Sequence, residues 1–258
     1  MTFPNNNPGS GDESGSGYRF PPGSQYVRPN YPLVPALPVE GAVEASNTYL
    51  SHAFVWMFAG LLLTAAVAFL TQGSERFLEL AIGALPLIFI GQLALVVVIS
   101  WGIRRISATI ALGLFFVYAA TMGITIGLIV SAYNGESVAA AFVTAAGMFG
   151  GAALYGVTTK RSLAGLSGFL MMALIGFIVA SVVNLFLAST AFAWALSLIG
   201  VVIFTALTAY HVQMIQRGSL VLGTGSVEKA AVLGALSLYL DFVNLFLMLL
   251  RLFGGGRR

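Results

Sequence analysis

At 258 residues, 58 % hydrophobic and 8 % charged with a mean hydropathy of +0.92, the chain holds far less charge than the ~25 % of a soluble domain. A soluble globular fold is excluded, and the length divides instead into membrane spans of roughly 20 residues. A net charge of +3 is too small to point to nucleic acid, and the lack of cysteine excludes a disulfide framework, a thiolate metal site and a cysteine nucleophile.

Taken in chain order, residues 1–45 hold every proline except Pro86, the low-complexity run 9–17 and no apolar periodicity. They read as a disordered Pro/Gly-rich tail that samples polyproline II, because such a segment buries too little surface to offset the entropy of ordering. The tail lacks the positive start and apolar run of a secretory signal. Its overlapping P-x-x-P steps (Pro29, Pro32, Pro35, Pro38), with Tyr26 and Tyr31 nearby, read as a linker, with a ligand for a partner domain as the other reading.

Seven apolar runs follow: 49–70, 80–101, 107–130, 137–157, 165–187, 191–210 or somewhat beyond, and 231–253. Each is long enough to cross a bilayer as a helix at ~1.5 Å per residue. Continuous apolar runs without period-two alternation exclude a barrel, so residues 46–258 are expected to form an all-α bundle of seven spans.

Arg104 and Arg105, Lys160 and Arg161, and Arg217 and Lys229 follow spans two, four and six, whereas the loops after spans one, three and five hold only Arg76. By the positive-inside rule the even-numbered loops and the N-terminal tail are cytoplasmic. Arg251, Arg257 and Arg258 dissent, since a seventh crossing puts them on the other face, whereas a re-entrant seventh segment would return them. The full length of that segment favours a crossing. Gly123 and Gly127, Gly147 and Gly151, and Gly156, Gly165, Gly168 and Gly176 are expected to supply close helix contacts.

Asp241 is the single acid within the seven runs and lies near the middle of the last, which makes it a functional candidate by default. Asn244, one turn on, extends the polar stripe. His211, at the end of span six, is the other ionisable candidate, but spacing alone leaves its pairing with Asp241 open; His52 reads as an interfacial side chain. Gln92, Asn184 and Gln213 are expected to form interhelical hydrogen bonds. Two potential ligands are too few for a metal site, no cofactor motif is present, and no catalytic constellation stands out, so an enzyme is the weakest class.

Four stretches resemble the Bax inhibitor family, and its bacterial members in particular. They are RRISATIALGLFFVYAATMGITIG from Arg104, TAAGMFGGAALYGVTTKRSLAGLSGFLMMALIGFIVASVVNLFL from Thr144, LTAYHVQMIQ from Leu207, and LYLDFVNLFLMLLRLFG from Leu238. The resemblance covers residue 49 to the C-terminus. It implies a seven-span bundle with the C-terminal helix central, surrounded by the other six, in the bacterial inner membrane. It further implies a pH-sensitive calcium leak, or a non-conducting regulator that binds a membrane partner such as a quality-control protease. In the leak, an acid ending span six and an acid in span seven form a carboxylate pair that senses protons. Asp241 matches the second acid through L-Y-L-D-F. At the first, the family's T-A-Y-D-x-Q reads Thr208, Ala209, Tyr210, His211, Val212, Gln213, so histidine replaces the acid. Neutral His211 beside ionised Asp241 carries the charge of an acid pair sharing one proton, but cannot reach the doubly ionised state that a hard cation prefers. Arg104 or Arg105, on the same side, would counter a carboxylate and repel a protonated imidazole. The family's T-K-R-D step is also changed here, to Thr159, Lys160, Arg161 and Ser162.

Overall fold

A computed structural model describes residues 39–73 and 75–254. The proline-rich tail before Val39, with its P-x-x-P steps, and Arg257 and Arg258 lie outside the described residues. The helices are α1 (Val39–Gln72), α2 (Glu75–Gly102), α3 (Ala108–Val130), α4 (Gly135–Thr158), α5 (Ser167–Leu187), α6 (Thr190–Gln216), α7 (Ser219–Thr224) and α8 (Val227–Gly254), with a 3-10 turn Leu163–Leu166 before α5. Seven of them are long and apolar enough to cross a membrane. The protein is thus an all-α, multi-pass membrane bundle.

α1 begins at Val39, seven residues ahead of the start expected for the membrane domain at 46. Pro38 is the last tail proline, and the Ala- and Glu-bearing stretch after it contains nothing that stops a helix from propagating. Later boundaries are set by local chemistry. Ser107, Asn134 and Ser189 cap α3, α4 and α6, their side-chain oxygens accepting from Ile110, Ser137 and Phe192 backbone N–H groups. Gly218 and Gly225, both left-handed, close the two ends of α7 and turn the chain into α8. That short helix is absent from a reading by apolar runs, since six residues carry no spanning signal.

The core is built around α8. It packs chiefly on α6, α1 and α4, with α3 and α7 also touching it. In its most apolar stretch 72 % of residues are buried, against 11 % for α2 and 6 % for α5. The central position of the C-terminal helix therefore holds, but the surround is not formed equally by six helices. α2 lies outside, mainly against α3, and α5 lies outside against α6.

Close approach at two glycine sites ties the inner ring together. A Cβ on Gly123 or Gly127 would come within 3.0 Å of α1 backbone oxygens at Thr64 and Ala68, and one on Gly156 would lie 2.5 Å from the Ala209 carbonyl of α6. Association of helices in lipid depends on such packing, because no hydrophobic effect acts between them. Gly147, Gly151, Gly165, Gly168 and Gly176 do not behave as expected: nothing lies within 4 Å of their Cβ positions, so they supply no contact within the chain. Gly156→Leu is accordingly expected to destabilise the fold by at least the ~1–3 kcal/mol of an overpacked core, because the clash is with backbone that cannot rotate away. Gly147→Leu should cost little, and thermal unfolding in detergent compares the two.

The two ends of the bundle differ. At one, Arg104 Nε donates to the Gly223 carbonyl at 2.7 Å, Lys229 Nζ to the Arg104 carbonyl at 3.3 Å, and Arg217 Nη1 to Ser162 Oγ at 2.9 Å. The connections after α2, α4 and α6 thus gather there with their cations. At the other, Gly254 closes on the Tyr133 ring in the α3–α4 connection. Continuous α8 runs from the first end to the second, which leaves no room for a re-entrant reading of the last segment.

Candidate functional site

The seam between α6 and α8 places the polar groups. α6 does not stop at Tyr210 but continues through Gln216, which puts His211 within the helix on a face that also carries buried Thr208 and Ile215. The two helices run antiparallel, with Gly200 against Met248 near one end and Gly234 against Ile215 near the other. Between these contacts His211 Nδ1 meets Asp241 Oδ2 at 2.6 Å. The Asp241 side chain is 3 % exposed and that of His211 20 %. The pairing that spacing left open is therefore made.

Burying a charge without a partner costs several kcal/mol, so contact with an imidazole N–H is what makes an ionised carboxylate tolerable at this depth. The pair has three proton counts: neutral imidazole with carboxylate (net −1), one further proton (0), and imidazolium with carboxylic acid (+1). Two groups in contact titrate as a unit. The arrangement can therefore change charge on the central helix in response to protons. With one nitrogen and one carboxylate it falls short of a metal-ligand set, and among the described residues no group of three or more His, Cys, Asp or Glu side chains gathers.

The remaining candidates are placed elsewhere. Asn244 is half-buried and donates to its own helix at the Leu240 carbonyl, 2.8 Å, so it extends the polar stripe without a hydrogen bond to Asp241. Arg104 is engaged with α7, and Arg105 is exposed; among the described residues no ion pair or hydrogen bond joins either to His211 or Asp241. His52 is exposed in α1. Gln92 makes the expected interhelical bond, its Nε2 donating to Thr125 Oγ1 at 2.9 Å. Gln213 works differently. Its Oε1 accepts from Leu163 N at 2.7 Å and its Nε2 donates to the Arg161 carbonyl at 2.9 Å, clamping the α4–α5 connection onto α6 two residues from His211. Asn184 makes no such bond, and its Oδ1 is buried without a partner.

One polar group is not evident from the sequence. Thr64 Oγ1 donates to the Ala119 carbonyl at 2.8 Å and lies 2.7 Å from Tyr239 Oη. A hydroxyl has one proton, so the Tyr239 hydroxyl must donate to Thr64. The Tyr239 ring packs edge-on against Phe115 and Tyr118, at 5.6 and 5.8 Å between centroids. Two residues of helix separate Tyr239 from Asp241, about 200° of rotation, so this hydroxyl pair faces α1 and α3 while the carboxylate faces α6. The available signal is a tyrosine inside an otherwise apolar stretch of helix, which needs a partner for its hydroxyl.

A family model described as "Inhibitor of apoptosis-promoting Bax1" matches residues 46–258. The chain belongs to the Bax inhibitor-1 family. It is 43 % identical over 245 residues to the inner membrane protein YbhL of Escherichia coli K12, which covers 93 % of this chain and 99 % of that protein. A protein of Deinococcus radiodurans is 40 % identical over 219 residues, covering 84 % of this chain and 94 % of its own, and one of Borreliella burgdorferi 38 % over 217 residues, covering 82 % and 93 %. The Bax inhibitor-1 assignment agrees with the resemblance carried by L-Y-L-D-F and T-A-Y-H-V-Q, and makes this a bacterial-type member.

Proposed function

We propose that the chain is a non-enzymatic, proton-responsive ion leak pathway of the bacterial inner membrane, with the His211–Asp241 contact as its sensor. The observation that supports this is a titratable pair at 2.6 Å, in which buried Asp241 of the central helix meets part-buried His211 of α6 in a bundle built mostly of apolar side chains. Calcium is the ion that the family resemblance implies. One carboxylate and one imidazole present less negative charge and fewer oxygen ligands than two acids, so calcium passes less readily here than through an acid pair. Purified protein in liposomes is expected to raise calcium and monovalent cation flux above that of empty liposomes, and to do so in a pH-dependent manner, because the pair changes its charge with each proton it binds. Liposomes that leak no more than empty ones at any pH would favour the alternative, a non-conducting regulator that acts on another membrane protein.

The membrane of residence follows the naming of YbhL as an inner membrane protein. The orientation we propose puts the end that gathers Arg104, Arg105, Lys160, Arg161, Arg217 and Lys229 in the cytoplasm, together with the N-terminal tail. A reporter that is active only outside the cytoplasm should then work when fused after Arg258 and fail when inserted at Arg161. The reverse pattern would invert the bundle.

A further inference from the structure

We propose that the trough between α4, α5 and α6 holds an acyl chain of an anionic glycerophospholipid, with the headgroup phosphate met by Lys160 and Arg161. α5 packs on α6 and leaves an apolar recess of about 510 Å³ between itself and α4, lined among others by Tyr155, Leu163, Leu170, Val202, Ala206 and Tyr210. Along α6 the lining runs from Val201 to Tyr210, ~14 Å of helix, close to the ~15 Å hydrocarbon depth of one leaflet. The Thr205 hydroxyl in the wall is already satisfied by the Val201 carbonyl, so the walls offer an acyl chain little competition from polar groups.

The trough has one basic end. Leu163 and Leu166 of the 3-10 turn close it, and the connection leading into that turn carries Lys160 and Arg161, both exposed. Gln213 holds this connection against α6 through both atoms of its amide, and Arg217 adds a bond to Ser162. The two cations are therefore presented from a fixed backbone. Among the described residues neither has a carboxylate within ion-pair distance; the ion pair found there is His211–Asp241. Two uncompensated cations over an apolar slot one leaflet deep complement a lipid with a phosphate and an acyl tail, and basic pockets between transmembrane helices recognise anionic headgroups in this way. The occupant would sit against Tyr210, whose ring lies 5.4 Å from that of His211, so the site adjoins the proposed sensor while its binding is independent of any ion flux.

The test is native mass spectrometry of the full chain, released from neutral detergent with equal amounts of phosphatidylglycerol and phosphatidylcholine bearing the same acyl chains. Phosphatidylglycerol adducts should exceed phosphatidylcholine adducts about tenfold. Lys160→Gln with Arg161→Gln should abolish that preference, and Arg105→Gln, at the same end but away from the trough, should leave it intact. Ala206→Phe, which fills the trough, should reduce adducts of both lipids. Should Ala206→Phe fail to fold by size exclusion, Val202→Trp, 66 % exposed in the wall, replaces it. A preference that survives the double substitution, or that Arg105→Gln removes equally, overturns the headgroup assignment. Undiminished adducts in the folded trough variant overturn the acyl-chain assignment.

Discussion

Asp241→Asn is expected to lower flux at least tenfold while leaving the bundle folded. Asparagine has the shape of aspartate, and its Oδ1 can accept from His211 Nδ1–H, so the α6–α8 contact survives at the observed position. What disappears is the negative state: the site then carries 0 or +1, never −1. A unit charge ~4 Å from a passing cation contributes about 4 kcal/mol at an effective dielectric of 20, and a tenfold change in rate needs only ~1.4 kcal/mol. The pH response should shrink with it, because the proton-linked step between −1 and 0 no longer exists. His52→Gln, in an exposed position of α1, should leave flux and its pH profile unchanged. The comparison requires equal incorporation into liposomes and matching thermal unfolding in detergent. Full flux with an unaltered pH profile in a folded Asp241→Asn protein would place the sensor away from this seam.

Much of the architecture could be read from the sequence because lipid leaves the chain few options. Every backbone group must be bonded within its own segment, so runs such as 80–101 and 107–130 had to be helices whatever they packed against. The central place of α8 was implied by likeness to a family rather than by composition, and its physical cause is visible only in three dimensions: small residues at Gly234, Ala231 and Ala235 let neighbours close on it. The site was half legible. Asp241 was conspicuous as the single acid at depth. His211 was named beside it by likeness to the family, but spacing alone could not pair the two, because the apolar run of α6 fades near Tyr210 while the helix continues to Gln216, and only the register of two antiparallel helices decides which residue of α6 faces residue 241. Contacts between distant residues, such as Thr64 with Tyr239 across 175 positions, leave no local pattern at all. Glycine spacing misled in the opposite direction. Gly147 and Gly151 match the motif as well as Gly123 and Gly127 do, yet only the second pair meets another helix, since a motif records small size and not what lies opposite.

His211→Asp is expected to raise calcium flux relative to the natural chain and to displace its pH midpoint. The contact geometry makes this exchange unusually clean. Histidine reaches Asp241 through Nδ1, which is bonded to Cγ, and an aspartate oxygen is bonded to the same carbon. A carboxylate at 211 can therefore place an oxygen where the imidazole nitrogen now stands, without movement of either helix. At every proton count the substituted pair is one charge more negative, running −2, −1 and 0 where the natural pair runs −1, 0 and +1. Calcium prefers several oxygen ligands with negative charge, and imidazole is a poor ligand that becomes cationic on acidification. Two carboxylates in contact also resist holding both charges, so their proton-linked steps belong to the pair and fall in a different pH window from those of an imidazole and a carboxylate. His211→Asn separates charge from shape: its amide can donate to Asp241 from the same position, and it should not raise calcium flux. Side-by-side liposome measurements from about pH 5 to 8 on the three proteins decide the matter. Equal calcium flux and equal midpoints in the natural chain and His211→Asp would make His211 a structural neighbour of Asp241, and proton sensing would then rest on the carboxylate alone.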